Sequence, residues 1–249
     1  MHKGHRQRMR ERFLKTGLAG FADHEILELV LFYAIPRKDT NPIAHRLIKR
    51  FGSLKGVLSA DIADLSAVEG VGDSAALLLR LFADISRLYM TPETKGAVLD
   101  TAKKAADYLW PRFMGLSNEE AHLICLDTRY RIIHEELIAQ GCLSAVPVFP
   151  RKIVALALQH DAASVILTHN HPGDDPQPSK ADVETTLDVS KALGAVDIAL
   201  SDHIIMGADR YYSFSDNTTH VLERPQPRLR LVAEDAIPFP IEEEHSLDR

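Results

Sequence analysis

The stretch SVILTHNHPGDDPQPSKADVETT, residues 164–186, carries the densest set of side chains able to do chemistry. His169 and His171 stand at i and i+2, directly after a short β-branched run. In extended backbone, residues two apart point to the same side, so both imidazoles can converge on one point. A polar loop of Pro, Gly and Asp follows. Ser179 then opens a helix, with Asp182 in its first turn. Two neutral imidazoles and one carboxylate make a catalytic zinc set, with the fourth position left for water. Ser179-x-x-Asp182 also has the form of a capping box that closes a helix N-terminus. Capping and ligation are compatible, because a capped helix start fixes the direction in which the Asp points.

His169-x-His171-Pro172, a loop of six residues, Ser179, two residues and Asp182 is similar to the JAMM motif of MPN-type zinc metalloproteases. The longer string HNHPGDDPQPSKAD resembles the signature of the RadC-like branch, as do PRKI at 150–153 and DHIIMG at 202–207. The resemblance runs from the N-terminal helices to about Ser215. It implies a β-sheet flanked by helices and one zinc ion per chain, held by His169, His171 and Asp182. It also implies hydrolysis of an amide in a peptide or protein substrate, with a glutamate on an upstream strand as general acid/base. RIIHEELIAQG, residues 131–141, offers Glu135 and Glu136. The family's spacing to the following Gly141 favours Glu136, and strand alternation lets only one of the two face the metal. In such chemistry zinc lowers the pKa of its water to about 7; the carboxylate takes that proton and later hands it to the leaving amine. By the same resemblance the Ser179 hydroxyl steadies the oxyanion. Gly173 and Asp174 depart from the Ser and Gly usual in the family, and Cys142 stands after Gly141 where Thr is common. His134 and His203 are candidate partners behind the metal ligands.

The elements that must position these groups follow from periodicity. AHLICLDT and RIIHEELI are β-type runs around an Asp127–Tyr130 turn, PRKIVALALQHD reads as a helix, and SVILTHNH as a buried strand. SKADVETTLDVSKALGA is a helix closed near Gly194, and VDIALSDHIIMG and RYYSFSD add strands. Upstream, residues 22–35 and 41–53 are apolar at helical spacing, and a Gly-Val-Gly turn at 70–72 separates a short helix from a long one ending near Tyr89. These spans predict a small all-α, helix-hairpin-helix-like domain over 1–90 and a linker over 91–98. An α/β (α+β) domain over 99–217 then has a JAMM-like mixed sheet flanked by helices, and 218–249 forms a loosely ordered tail.

Glycine turns expose helix N–H groups to phosphate, and basic residues outnumber acidic ones up to Leu58, although the net charge of the chain is -6. Non-specific DNA is therefore a candidate partner, with Asp73 and Glu69 opposing it. A DNA-associated protein with a structural or vestigial metal site is the alternative to a hydrolase. No apolar run approaches a membrane span, the basic N-terminus lacks the apolar stretch of a secretory signal, and two cysteines cannot build a disulfide framework. These features predict a cytoplasmic protein without a membrane partner.

Overall fold

Apolar residues at helical spacing build the first half of the chain as α1 (His5–Thr16), α2 (Asp23–Ala34), α3 (Asn41–Phe51), α4 (Leu54–Ser59), α5 (Ile62–Ser66) and α6 (Asp73–Met90). The computed structural model describes residues 4–91, 96–141, 149–173 and 175–222. Leu27, Leu31, Leu47, Val57, Leu65 and Leu79 are fully buried and form the core of the helical half. Glu28 is buried beside them, where a bare carboxylate would be costly. Asn41 Nδ2 donates to it at 3.0 Å, and His5 Nε2 lies 2.9 Å away. Between α5 and α6, Gly70 takes a φ of +91°, and a Cβ there would meet Ile43 Cδ1 at 3.0 Å. Both conformation and space therefore call for glycine at this turn.

The second half is a six-stranded mixed sheet in the order β2-β1-β3-β4-β5-β6. Its strands are β1 (Glu120–Leu126), β2 (Ile132–Gln140), β3 (Ser164–Asn170), β4 (Ala199–Met206), β5 (Arg210–Ser213) and β6 (Thr218–Val221). Only β3 and β4 run parallel, joined through α9 (Lys180–Gly194). Side-chain alternation divides the core. Ile124, Leu126, Ile166, Ile204 and Met206 pack on one face with Leu109 and Phe113 of α7 (Ala102–Phe113). Leu123, Cys125, Val165 and Leu167 pack on the other with Ile153 of α8 (Pro150–Gln159) and with Val189 and Leu193 of α9. Every residue of β3 is buried, which explains the consecutive apolar residues Val165, Ile166 and Leu167.

Two boundaries differ from the sequence expectation. Thr218–Val221 is not tail but an edge strand in register with β5, entered through Asn217 at a φ of +51°, and Leu222 behind it is buried. A polar four-residue strand carries no apolar alternation, so its pairing was hidden. At the other boundary, Ile132 N donates to the Ala97 carbonyl at 3.0 Å and Val98 bridges Arg131. Residues 97–98 are therefore tied by an isolated bridge to the start of β2, at the end of the span expected to be linker. Cys142, Asp174, residues 92–95 and the tail from 223 lie outside the described residues. Among the described residues no helix is long and apolar enough to cross a membrane.

Candidate metal centre

His169 sits near the end of β3, between Ala121 of β1 and Ile205 of β4, and is 2% exposed. The β3–β4 ladder continues one residue beyond the strand: His171 N donates to the Met206 carbonyl at 2.9 Å. The chain thus stays extended through the pair, and both imidazoles turn to the same side. Asp182 reaches them from the first turn of α9. The Ser179 N–H and hydroxyl each donate to its Oδ2 at 2.7 Å, and the Asp182 N–H donates back to Ser179 Oγ at 3.2 Å. This is the capping box expected from Ser179-x-x-Asp182, and it aims the carboxylate at the histidines.

The three side chains form a tight triangle, with one ligand atom from each within 4.8 Å of the others. His169 Nε2 lies 3.1 Å from His171 Nε2 and 3.3 Å from Asp182 Oδ1, and His171 Nε2 lies 3.7 Å from the other carboxylate oxygen, Oδ2. Ligands at about 2.0–2.1 Å around a tetrahedral zinc ion stand about 3.3–3.4 Å apart, so the His169 contacts to the other two residues have the spacing that such a site needs. His171 Nδ1 donates to the Asp175 carbonyl at 2.9 Å, which leaves the Nε2 of the neutral ring as a lone pair. An electron-rich donor set of this kind suits a divalent cation. Among the described residues, only these three His, Cys, Asp or Glu side chains converge in this way.

Electrostatics favour the ligating form of His169 and Asp182, and make protons compete for His171. Burial pushes His169 down to about 4, so its ring is neutral near pH 7. The Asp182 carboxylate raises His171 above its usual value, with burial opposing. For Asp182, burial works against ionisation, but His171 and Ser179 outweigh it and hold the carboxyl well below the usual range.

The two glutamates part company. Register sets Glu136 opposite Leu123 and Glu135 opposite Ile124. Glu136 therefore shares the sheet face of Leu123, Leu167 and His169, whereas Glu135 lies on the α7 face. Two strand spacings and one residue pair separate the Glu136 and His169 backbones, about 12 Å. Glu136 is partly exposed, with His134 Nε2 at 3.4 Å and Lys152 Nζ at 3.9 Å. His134 itself stacks on His160, ring centroids 3.6 Å apart. Glu135 accepts from Tyr108 Oη at 2.6 Å and from Arg112 Nε at 2.5 Å. Ser179 is brought to the triangle, with its hydroxyl engaged on Asp182. His203 also reaches the site, its Nε2 2.9 Å from His169 Nδ1.

Sequence reasoning did not single out Asn170 or Thr186. Asn170 Oδ1 accepts from Glu120 N at 2.7 Å and its Nδ2 donates to the Asn118 carbonyl at 3.0 Å, pinning the strand end between the two histidines. The signal was the Asn inside His-Asn-His, a polar residue at a position that alternation sends to the opposite face. A cleft of about 680 Å³ has His171 and Pro172 in its wall, with Trp110, Phe113 and Met206, and extends to Gly56 of α4.

A family described as the RadC-like JAB domain matches residues 99–219, and one described as UPF0758 N-terminal matches residues 2–77. A UPF0758 protein of Rhodobacter capsulatus is 39% identical over 207 residues, 83% of this chain and 97% of its own length. One from Fusobacterium nucleatum is 37% identical over 221 residues, 86% of this chain and 95% of its own. One from Ruegeria pomeroyi is 36% identical over 213 residues, 85% and 95% respectively.

Proposed function

We propose that this chain, which belongs to the UPF0758 family of RadC-like JAB-domain proteins, is a zinc-dependent hydrolase that cleaves an amide bond in a peptide or protein. The observation that carries this is the three-ligand triangle itself. His169, His171 and Asp182 converge without a fourth protein ligand among the described residues, and the His171 side chain is 20% exposed. Structural zinc sites are closed by four protein ligands, whereas catalytic sites keep one position open. Bound there, zinc supplies Lewis acidity toward a scissile carbonyl and makes a water nucleophilic near pH 7.

The residues around it do the rest. Glu136, on the same sheet face, accepts the proton of the attacking water at its carboxylate and delivers it to the leaving nitrogen. Ser179 N–H and Oγ hold Asp182 in the ligating direction; to serve a developing oxyanion the hydroxyl would turn its single proton away from Asp182, leaving the N–H to hold the carboxylate. The cleft beside His171, with its aromatic and Met walls, meets the ligand set at His171 from the α7 side of the sheet.

The test is cleavage of a peptide library by the zinc-loaded chain, read by mass spectrometry. Cleavage that stops on chelation and returns with zinc is expected. Turnover indifferent to chelation would contradict the proposal. A chain that binds one zinc and cleaves nothing would favour the alternative of a DNA-associated protein with a structural site. That alternative draws on the glycine turn before α6, whose N-cap Gly72 leaves the helix start without a side-chain cap, and on Arg46, whose Nε donates to the Glu69 carbonyl at 3.0 Å in the same turn.

A further inference from the structure

His203 lies on β4 opposite Leu167, on the sheet face that carries His169, and is 2% exposed. Three short contacts link it to the metal triangle. His203 Nε2 is 2.9 Å from His169 Nδ1, and His203 Nδ1 is 2.6 Å from Thr186 Oγ1. Thr186 Oγ1 is in turn 2.6 Å from the backbone carbonyl of Asp182.

The protons in this chain can be assigned by elimination. A carbonyl oxygen only accepts, so the single Thr186 hydroxyl proton goes to Asp182 O. Thr186 Oγ1 must then accept, and His203 Nδ1 carries the proton it receives. His203 is buried, and its two ring nitrogens face a hydroxyl and an imidazole, not a carboxylate, so an imidazolium there would be an unpaired buried charge; the ring is neutral and its Nε2 is an acceptor. His169 Nδ1–H therefore donates to it, and His169 Nε2 is left as a lone pair facing His171 and Asp182. His171 Nδ1 is held by a local route, donating to the Asp175 carbonyl. We propose that Thr186 and His203 are positioning residues: a relay from the backbone of one metal ligand, Asp182, that fixes the tautomer and ring orientation of another, His169, for metal binding. Partners behind a metal-bound histidine act in this way. The relay's role in metal binding rests on the zinc site proposed above; its hydrogen-bond polarity does not. A purely space-filling His203 is the competing role, since its ring also stacks on Phe214 with centroids 4.9 Å apart.

Two measurements separate these. In the metal-free chain labelled with ¹⁵N-histidine, long-range ¹H–¹⁵N correlation at neutral pH should show His169 as the Nδ1–H tautomer, the one disfavoured in a free side chain. Zinc affinity, by competition with a chromophoric chelator, should fall about 10–100-fold in Thr186→Val, which keeps shape but cannot accept from His203. Thr186→Ser restores the hydroxyl and should stay within roughly threefold of wild type, the tautomer with it. His203→Leu should lose affinity as Thr186→Val does. His203→Gln, whose amide can donate to Thr186 and accept from His169, should recover part of it. An Nε2–H tautomer at His169 in the wild type overturns the relay, as does wild-type zinc affinity in Thr186→Val. Wild-type protein that binds no zinc sinks the metal site instead, and the tautomer still decides the relay.

Discussion

Adjacent glutamates on β2 should respond to the same substitution in opposite ways. Glu135→Gln removes the charge that faces Arg112, in a pair whose side chains are 13% and 9% exposed. Breaking a buried ion pair by removing one partner costs about 3–5 kcal/mol. Gln still offers one oxygen to Arg112 or to Tyr108 Oη, which reduces the expected cost to about 2–3 kcal/mol. At about 2–4 °C per kcal/mol for a chain of this size, the unfolding midpoint should drop by roughly 4–12 °C. Zinc content and turnover per folded molecule should be unchanged, because Glu135 faces α7. Glu136→Gln should leave the midpoint within about 2 °C, since the group is partly exposed and its ion-pair contacts are long. Turnover should fall by about 10²–10⁴, the contribution of a positioned acid/base. Calorimetry, elemental analysis and hydrolysis of a cleaved library peptide read all three quantities on both variants. Equal loss of turnover in the two, or loss of zinc in Glu136→Gln, would refute the assignment. A collapse of turnover confined to Glu135→Gln would show that the strand faces were read the wrong way round.

Zinc affinity should also depend on pH in a way fixed by the ligands. Asp182 holds His171 above the usual 6.5, while burial holds His169 down to about 4. As pH falls, protons therefore compete for His171 first, and apparent affinity should drop about tenfold per pH unit, one proton at a time, until near pH 4. Chelator competition that gives two protons per zinc already at about pH 6 would contradict the neutral, buried state of His169. The full chain should bind duplex DNA weakly and without sequence preference, with affinity falling steeply with salt. Absence of binding at low salt, measured by fluorescence anisotropy, would remove DNA from the account of the glycine turn.

Much of the candidate site was legible because strand, loop and helix start follow one another within residues 164–186. A buried strand, a His-x-His step and a capping box each have local signatures, and together they converge without long-range information. The choice between Glu135 and Glu136 was different. Alternation says that the two face opposite sides, but the side depends on a register interrupted by irregularities at Ala121/His122 and Cys125/Leu126. No local pattern encodes those shifts. His203 could be named only as a candidate partner, because its contact with His169 arises from parallel pairing across 34 residues. Helix α7 escaped the periodicity reading, with Pro111 inside its last turn where a break is expected. It is nevertheless the element that covers one sheet face and anchors Glu135.

Metal content decides whether His169, His171 and Asp182 hold one zinc ion. Protein purified without added zinc should contain about one zinc per chain by elemental analysis, and His171→Ala, with one corner of the triangle gone, should contain almost none. Zinc-free wild type that also fails to take up added zinc, or His171→Ala that retains the wild-type stoichiometry, would show that they do not.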